Sequence, residues 1–228
     1  MTAATLSGFP LLDGVSQAAL ARIATAAHAR TFGAGATLFD FDDPATDVLF
    51  IVSGTVRIVA RTPSGKEFVY RDLGAGELIG ELAAIDGAPR SASATAVVAT
   101  HVLALPNTAF LALLAEAPPL ALRLLQVLSA RVRELSTRLV EQTTMSVRQR
   151  LAAELIRLAR PRRAGEGLAV SPPPPQHVLA ARIGARREAV SRELAAMRRE
   201  GLVSVQRGAL VLTAEAALRA LSRSEIGL

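Results

Sequence analysis

Leu73-Gly-Ala-Gly-Glu-Leu-Ile-Gly-Glu-Leu-Ala-Ala-Ile-Asp-Gly-Ala-Pro-Arg-Ser-Ala-Ser-Ala-Thr-Ala96 is the stretch on which the reading of this chain turns. Within it, Gly80-Glu81-Leu82 is followed nine residues later by Pro89-Arg90-Ser91. One loop therefore carries a backbone that permits close approach, a carboxylate, a guanidinium and a hydroxyl. An arginine fork with backbone N–H donors suits a phosphate, and a carboxylate suits a sugar hydroxyl, so the loop is a candidate site for an anionic ligand that bears both. A second reading has Glu81 and Arg90 bridging each other and holding the surrounding structure together without ligand.

Outward from this loop, the segment from Thr31 to Leu105 reads as strands. Runs such as Asp47-Val-Leu-Phe-Ile-Val52, Thr55-Val-Arg-Ile-Val59 and Glu67-Phe-Val-Tyr70 are alternating or β-branched. Turn signals at Ser53-Gly54, Pro63-Ser-Gly65 and Gly74-Ala-Gly76 punctuate them at roughly ten-residue spacing, which predicts a sandwich, barrel or jelly roll. Ahead of the strands, Ser16 to Ala29 has helical periodicity with Ser16 as N-cap. The pattern changes at Pro106. Between Pro119 and Thr144, Leu125, Leu128, Val132, Leu135 and Leu139 step alternately by 3 and 4, an a/d seam for packing on another helix. Such a helix can also cover the strand domain. Ser146 to Arg160 reads as a further amphipathic helix with Leu151, Leu155 and Leu158 on one face and Pro161 as its stop. Pro172-Pro-Pro-Pro175 reads as a stiff connector.

The chain has 228 residues, half of them apolar (50%) but only 4% aromatic, with no Trp, so its core is built mainly from Ala, Leu and Val. With no cysteine, disulfides, thiol nucleophiles and Cys-ligated zinc or iron–sulfur clusters are excluded. Arg and Glu interrupt every apolar run before the ~20 residues a membrane span needs, and no secretory signal is visible, so no membrane association and a cytoplasmic location are expected. Charge is segregated along the chain. Met1 to Pro118 holds 7 Lys/Arg against 11 Asp/Glu, whereas Ser146 to Leu228 holds 15 against 7. A basic last third behind an acidic first half implies that the last third meets a polyanion, although the preference for Arg over Lys also fits codon bias.

That last third has a specific arrangement. Gln176 to Ile183 forms a short helical sequence, Gly184 tolerates a left-handed turn, and Arg186 to Glu200 resumes helical period with Val190, Leu194 and Met197 inward. Helix, tight turn and helix make a helix-turn-helix. The second helix opens with Arg186, Arg187 and Glu188 and carries Arg192 one turn on. Arg matches the guanine O6/N7 edge and Glu accepts from cytosine N4. Alternatively, Arg187, Glu188, Arg192 and Glu193 pair with one another on a solvated face. The runs Leu202-Val-Ser-Val205 and Ala209-Leu-Val-Leu212 flank Gln206-Arg207-Gly208 like the hairpin of a winged helix, with Arg207 near the tip for a phosphate.

Together, the Gly80-to-Ser91 cassette, the long helix and the Arg186-to-Leu194 segment resemble the cyclic AMP receptor protein/FNR family of bacterial transcription regulators, over essentially the whole chain. The resemblance implies an α+β fold. An N-terminal antiparallel β-roll of jelly-roll type, with the cyclic-nucleotide-binding fold, would span residues 1–118. A long dimerisation helix would span 119–145, and a C-terminal winged helix-turn-helix 146–228. It also implies roles: Gly80 donates its backbone N–H, Glu81 holds the ribose 2′-hydroxyl, Leu82 belongs to the same cassette, Arg90 clamps the cyclic phosphate and Ser91 adds a hydroxyl to it. Arg187, Glu188 and Arg192 fall on the base-reading positions, with Arg186 beside them. Two departures are visible. Ile79 stands where the cassette usually has Phe. Leu135 and Ser136 stand where an adjacent Thr-Ser pair contacts adenine, which leaves Ser136 and Thr137 for the purine.

The expected function is a ligand-gated, sequence-specific DNA-binding regulator with cyclic AMP as effector. It would be a homodimer that binds double-stranded DNA and RNA polymerase and needs no metal. Alternatives are cyclic GMP as ligand, or a nucleotide-independent regulator with an empty roll. Haem sensing through His28 or His101 has only a lone histidine behind it. No Walker-type loop, metal-ligand spacing or nucleophile motif appears, so enzymatic activity is not expected.

Overall fold

The computed structural model describes residues 6, 8–62, 67–162 and 167–223. The turn signal at Pro63-Ser-Gly65 lies outside the described residues. The chain divides into two compact units, residues 1–132 and 133–228.

In the first unit, α1 (Gln17–Ala26) is capped by Ser16, whose hydroxyl accepts from the Ala19 N–H at 3.2 Å. Eight strands follow: β1 (His28–Phe32), β2 (Thr37–Phe39), β3 (Asp47–Ser53), β4 (Thr55–Arg61), β5 (Glu67–Gly74), β6 (Leu78–Ile79), β7 (Ser93–Ala96) and β8 (Thr100–Pro106). They form two antiparallel sheets, ordered β1-β8-β3-β6 and β2-β7-β4-β5. Helix α2 (Glu81–Asp86) interrupts the strands between β6 and β7, and α3 (Asn107–Glu116) follows β8.

Residue alternation in β3 and β8 explains how the layers are held. Leu49, Ile51, Val102 and Ala104 enter a core shared with Val56, Leu73, Ala94 and Ala96 of the second sheet. Val48, Phe50, Leu103 and Leu105 point the other way, into a core with Leu20 and Ile23 of α1 and Phe110 of α3. Strand β3 is thus buried on both faces, which is why its sequence reads as an almost continuous apolar run. Phe50 meets Phe9 and Phe110 edge-on, at centroid distances of 5.3 and 6.4 Å.

Helix α4 (Pro118–Thr144) is unbroken over 27 residues, about 40 Å of rise. The boundary between the two compact units falls within it. Of the predicted seam, Leu125, Val132, Leu135 and Leu139 are exposed, whereas Leu128 packs against the core of the first unit. Among the described residues, no single helix is long and apolar enough to cross a membrane.

In the second unit, α5 (Val147–Leu158) opens with a reciprocal capping box between Ser146 and Gln149. It ends two residues before the position expected from Pro161, and Arg160 and Pro161 instead form β9, a short edge strand beside β10 (Leu168–Val170). Helix α6 (Gln176–Ile183) ends at Gly184, which adopts φ 60°. Helix α7 (Arg187–Arg199) buries Val190, Leu194 and Met197 as expected. The hairpin β11 (Val203–Gln206) and β12 (Ala209–Leu212) follows, then α8 (Glu215–Leu221). Its two-residue turn, Arg207-Gly208, has φ 48° and 77°. Positive φ at both positions matches the twist of paired strands.

Candidate functional site

Two sites were expected: the cassette residues lie in the first compact unit, whereas Ser136 and Thr137 lie in the second, as does the whole of the DNA-binding set. In the first unit, Gly80 is the N-cap of α2, with φ 87°. A β-carbon there would stand 2.2 Å from Arg90 Nη1, so the absence of a side chain is what lets the guanidinium lie beneath the start of the helix. Arg90 is only 4% exposed. Its Nη2 donates to the Asp47 carboxylate at 2.6 Å and to the Asp47 carbonyl at 2.8 Å, and its Nη1 donates to the Gly80 carbonyl at 3.3 Å. The guanidinium carbon lies 4.3 Å from the centroid of the Phe39 ring. Its Nε is buried with no hydrogen-bond partner.

Glu81 is also buried, at 3% exposure, and it pairs with Arg131 of α4. Arg131 Nη2 also approaches the Leu78 carbonyl at 3.4 Å, while its Nε is buried and unpartnered. The Glu81–Arg90 bridge weighed from the sequence does not form. Each member has a different counter-ion, because Arg90 turns under Gly80 towards β3 while Glu81 faces α4. The structure therefore brings Gly80, Glu81 and Arg90 together and adds Asp47 and Arg131, which sequence reasoning missed. Both are far from the cassette along the chain, and no local motif marks them.

The other expected residues are placed less tightly. Leu82 and Ser91 are exposed at the edge of the same loop. The buried hydroxyl of the region belongs to Ser93, which accepts from the Phe41 N–H at 3.0 Å. Ser136 and Thr137 are exposed on α4 in the second unit, with the Thr137 hydroxyl donating to the Arg133 carbonyl at 3.0 Å. Ile79 fills the sandwich core, the apolar role expected for that position.

In the second unit, Arg186 is the N-cap of α7, and Arg187, Glu188 and Arg192 project from its first turns, all four exposed. The pairing weighed for a solvated face is absent: none of these four side chains makes an ion pair among the described residues, and Glu193 turns instead to Arg148 at 3.7 Å. Arg207 at the hairpin tip is likewise exposed. The helix thus presents three cations and one carboxylate with no competing partner among the described residues. No group of His, Cys, Asp or Glu among the described residues is arranged to hold a metal ion.

Known proteins match this arrangement. Residues 29–117 match the cyclic nucleotide-binding domain, and residues 149–221 match the Crp-like helix-turn-helix domain. The fold and the two sites define a transcription regulator with a ligand-binding roll and a DNA-binding head. The chain is 34% identical over 213 residues to the cyclic AMP receptor protein of Thermus thermophilus, covering 93% of this chain and 96% of that one. It is 29% identical over 198 residues to a CRP-like cAMP-activated global transcriptional regulator of Mycobacterium tuberculosis, covering 86% and 88%. The solved c-di-GMP-responsive regulator CLP of Xanthomonas campestris shares the fold at a TM-score of 0.72 and 22% identity, covering 86% of this chain and 99% of that one. This chain belongs to the CRP/FNR family of transcription regulators.

Proposed function

We propose that cyclic AMP is the effector and that the protein works as a homodimer in the cytoplasm, switching between DNA-binding states and engaging RNA polymerase on the DNA. The observation that carries the ligand assignment is the buried Arg90 guanidinium with its Nε left over. Asp47 occupies one side of the fork and orients it, and the remaining donor suits a phosphate oxygen. In this reading the Gly80 N–H and the Ser91 hydroxyl add donors to the phosphate, Glu81 accepts from the ribose 2′-hydroxyl within the Leu82 cassette, and Ser136 with Thr137 meets the purine. The M. tuberculosis and T. thermophilus relatives named for cyclic AMP support this choice of ligand.

The exposed Leu125, Val132, Leu135 and Leu139 supply the dimer seam. A two-fold pair places two copies of α7 in successive major-groove segments, with Arg187, Glu188 and Arg192 on base edges and Arg186 and Arg207 on phosphates. Ligand shifts this equilibrium only through differential affinity for the two states, with a coupling of order 1–3 kcal/mol. In this reading the nucleotide acts as a signal and is released unchanged.

Thermal melting with cyclic AMP, cyclic GMP and AMP tests the reading. Saturation at about 100 Kd stabilises the native state by about 2.7 kcal/mol, and the expected order is cyclic AMP above cyclic GMP, with AMP inert. An unchanged melting temperature with all three favours the second reading, a nucleotide-independent regulator. That reading is supported by the Asp47–Arg90 and Glu81–Arg131 pairs, which already neutralise the pocket.

A further inference from the structure

Glu154, in the middle of α5, has none of its surface exposed, and it lies between Leu151 and Leu155 of the apolar face. Three guanidiniums from three helices close on it. Arg182 of α6 donates to its Oε1 at 3.2 Å, and Arg157 of α5 donates to its Oε2 at 2.8 Å. Arg138 of α4 lies 3.7 Å from the same Oε2. Arg157 also pairs with Glu141, and Arg138 with Glu134, both on α4. Among the described residues, these contacts pair three cations with three carboxylates. Burial alone lowers the Arg157 pKa, but its bonds to Glu141 and Glu154 outweigh that and raise it.

A second clasp lies beside the first. Arg150 of α5 donates to the carbonyl of Ile183, the last residue of α6, at 3.0 Å, and to that of Met145 at 2.7 Å. Gly184 leaves the space in which the Gln142 amide of α4 sits, since a β-carbon there would stand 2.8 Å from it.

Buried ion clusters are costly to desolvate and add little stability over apolar packing, so one that joins three helices is better explained by the geometry it imposes. We propose that Glu154 is a positioning residue that fastens the first helix of the helix-turn-helix to the last turns of α4, so that these turns, which carry Leu135 and Leu139 of the seam, set the direction of each DNA-binding head. The inference rests on the dimeric DNA-reading function proposed above and deepens it. Residues 133–144 of α4 belong to the same compact unit as the head, so a head fixed to those turns takes its heading from them. The separation of two heads in a dimer is then a property of the protein, and it resists adjustment to the operator. Moving one half-site by a base pair demands about 3.4 Å of translation and roughly 35° of rotation, which a fastened head cannot follow.

The test uses the full chain, with cyclic AMP present and absent. Wild-type protein selects duplexes from a random library, and the selected operator is resynthesised with its half-sites one base pair closer and one farther. Wild type is expected to lose about tenfold in affinity on either shifted duplex. Glu154→Gln and Arg138→Gln are expected to differ by no more than about threefold across the three duplexes while still binding an isolated half-site. Arg138→Gln leaves Glu154 held by Arg157 and Arg182, so it reports even where Glu154→Gln fails to fold. A folded variant that keeps the wild-type spacing penalty overturns the proposal. So does a uniform loss on all three duplexes with the penalty intact, which is the signature of a merely structural role. Wild type that selects no paired half-sites overturns the dimer reading itself, and this inference with it, a result distinct from either of those.

Discussion

The cassette and the recognition helix hold arginines in opposite electrostatic states. At the cassette, Arg90 is 4% exposed and Arg131 is half-buried, each faced by a carboxylate. On α7, Arg186, Arg187 and Arg192 are exposed and have no counter-ion among the described residues. A buried guanidinium has lost its hydration already and is fixed in direction, so it discriminates by geometry. An exposed one keeps its hydration and rotamer freedom until it meets its target, so its grip on a polyanion varies with salt. The contrast fits the proposed reading, in which ligand specificity comes from a preorganised pocket and DNA affinity from an exposed, screened surface.

The largest expected effect tests the buried side. Arg90→Ala removes a charge-assisted partner and is expected to cost about 1.5–3 kcal/mol of cyclic nucleotide binding by calorimetry. Unchanged affinity would place the ligand elsewhere. Arg187→Ala is expected to relax preference at one base pair of each half-site by about 1–3 kcal/mol, read by competition between operators that differ only there. Equal losses on operator and random DNA would remove Arg187 from the base-reading set.

Gly80→Ala is expected to destabilise the first unit by about 1–2 kcal/mol in denaturant titration, because an L residue at φ 87° is strained and the new methyl displaces Arg90. Nucleotide affinity should fall with it. A variant of normal stability and affinity would mean that Arg90 does not need its place beneath α2. Smallest is Arg207→Gln, which is expected to weaken every duplex alike and to lower the slope of log K against log salt by about 1. A change confined to one sequence would make the hairpin tip a reader of bases.

Much of the fold was legible because its signals are local. Alternation in Asp47-Val-Leu-Phe-Ile-Val52, the Ser16 N-cap, the Gly184 break and the turn around Arg207-Gly208 each act within a few residues, and each appears in place. Pro161 misled because a proline after a helix marks an upper limit for its end, and here the chain had already turned to pair with β10.

The site was legible in part. Gly80, Glu81 and Arg90 share one loop, so spacing revealed them. The counter-ions that decide their state did not show, since Asp47 lies 43 residues from Arg90 and Arg131 lies 50 from Glu81. Glu154 was hidden for a related reason. A single carboxylate among Leu151, Leu155 and Leu158 looks like an ordinary interruption of an amphipathic face until arginines from two other helices converge on it.

Asp47 is the first residue of β3, the strand whose neighbouring side chains lock alternately into two different cores. In the proposed reading, an anion held by Arg90 would be coupled through Asp47 to the strand that both cores share. A displacement of that strand would disturb the packing on both of its faces, so an effect that begins at the cassette would reach α1 and α3 as well as the second sheet.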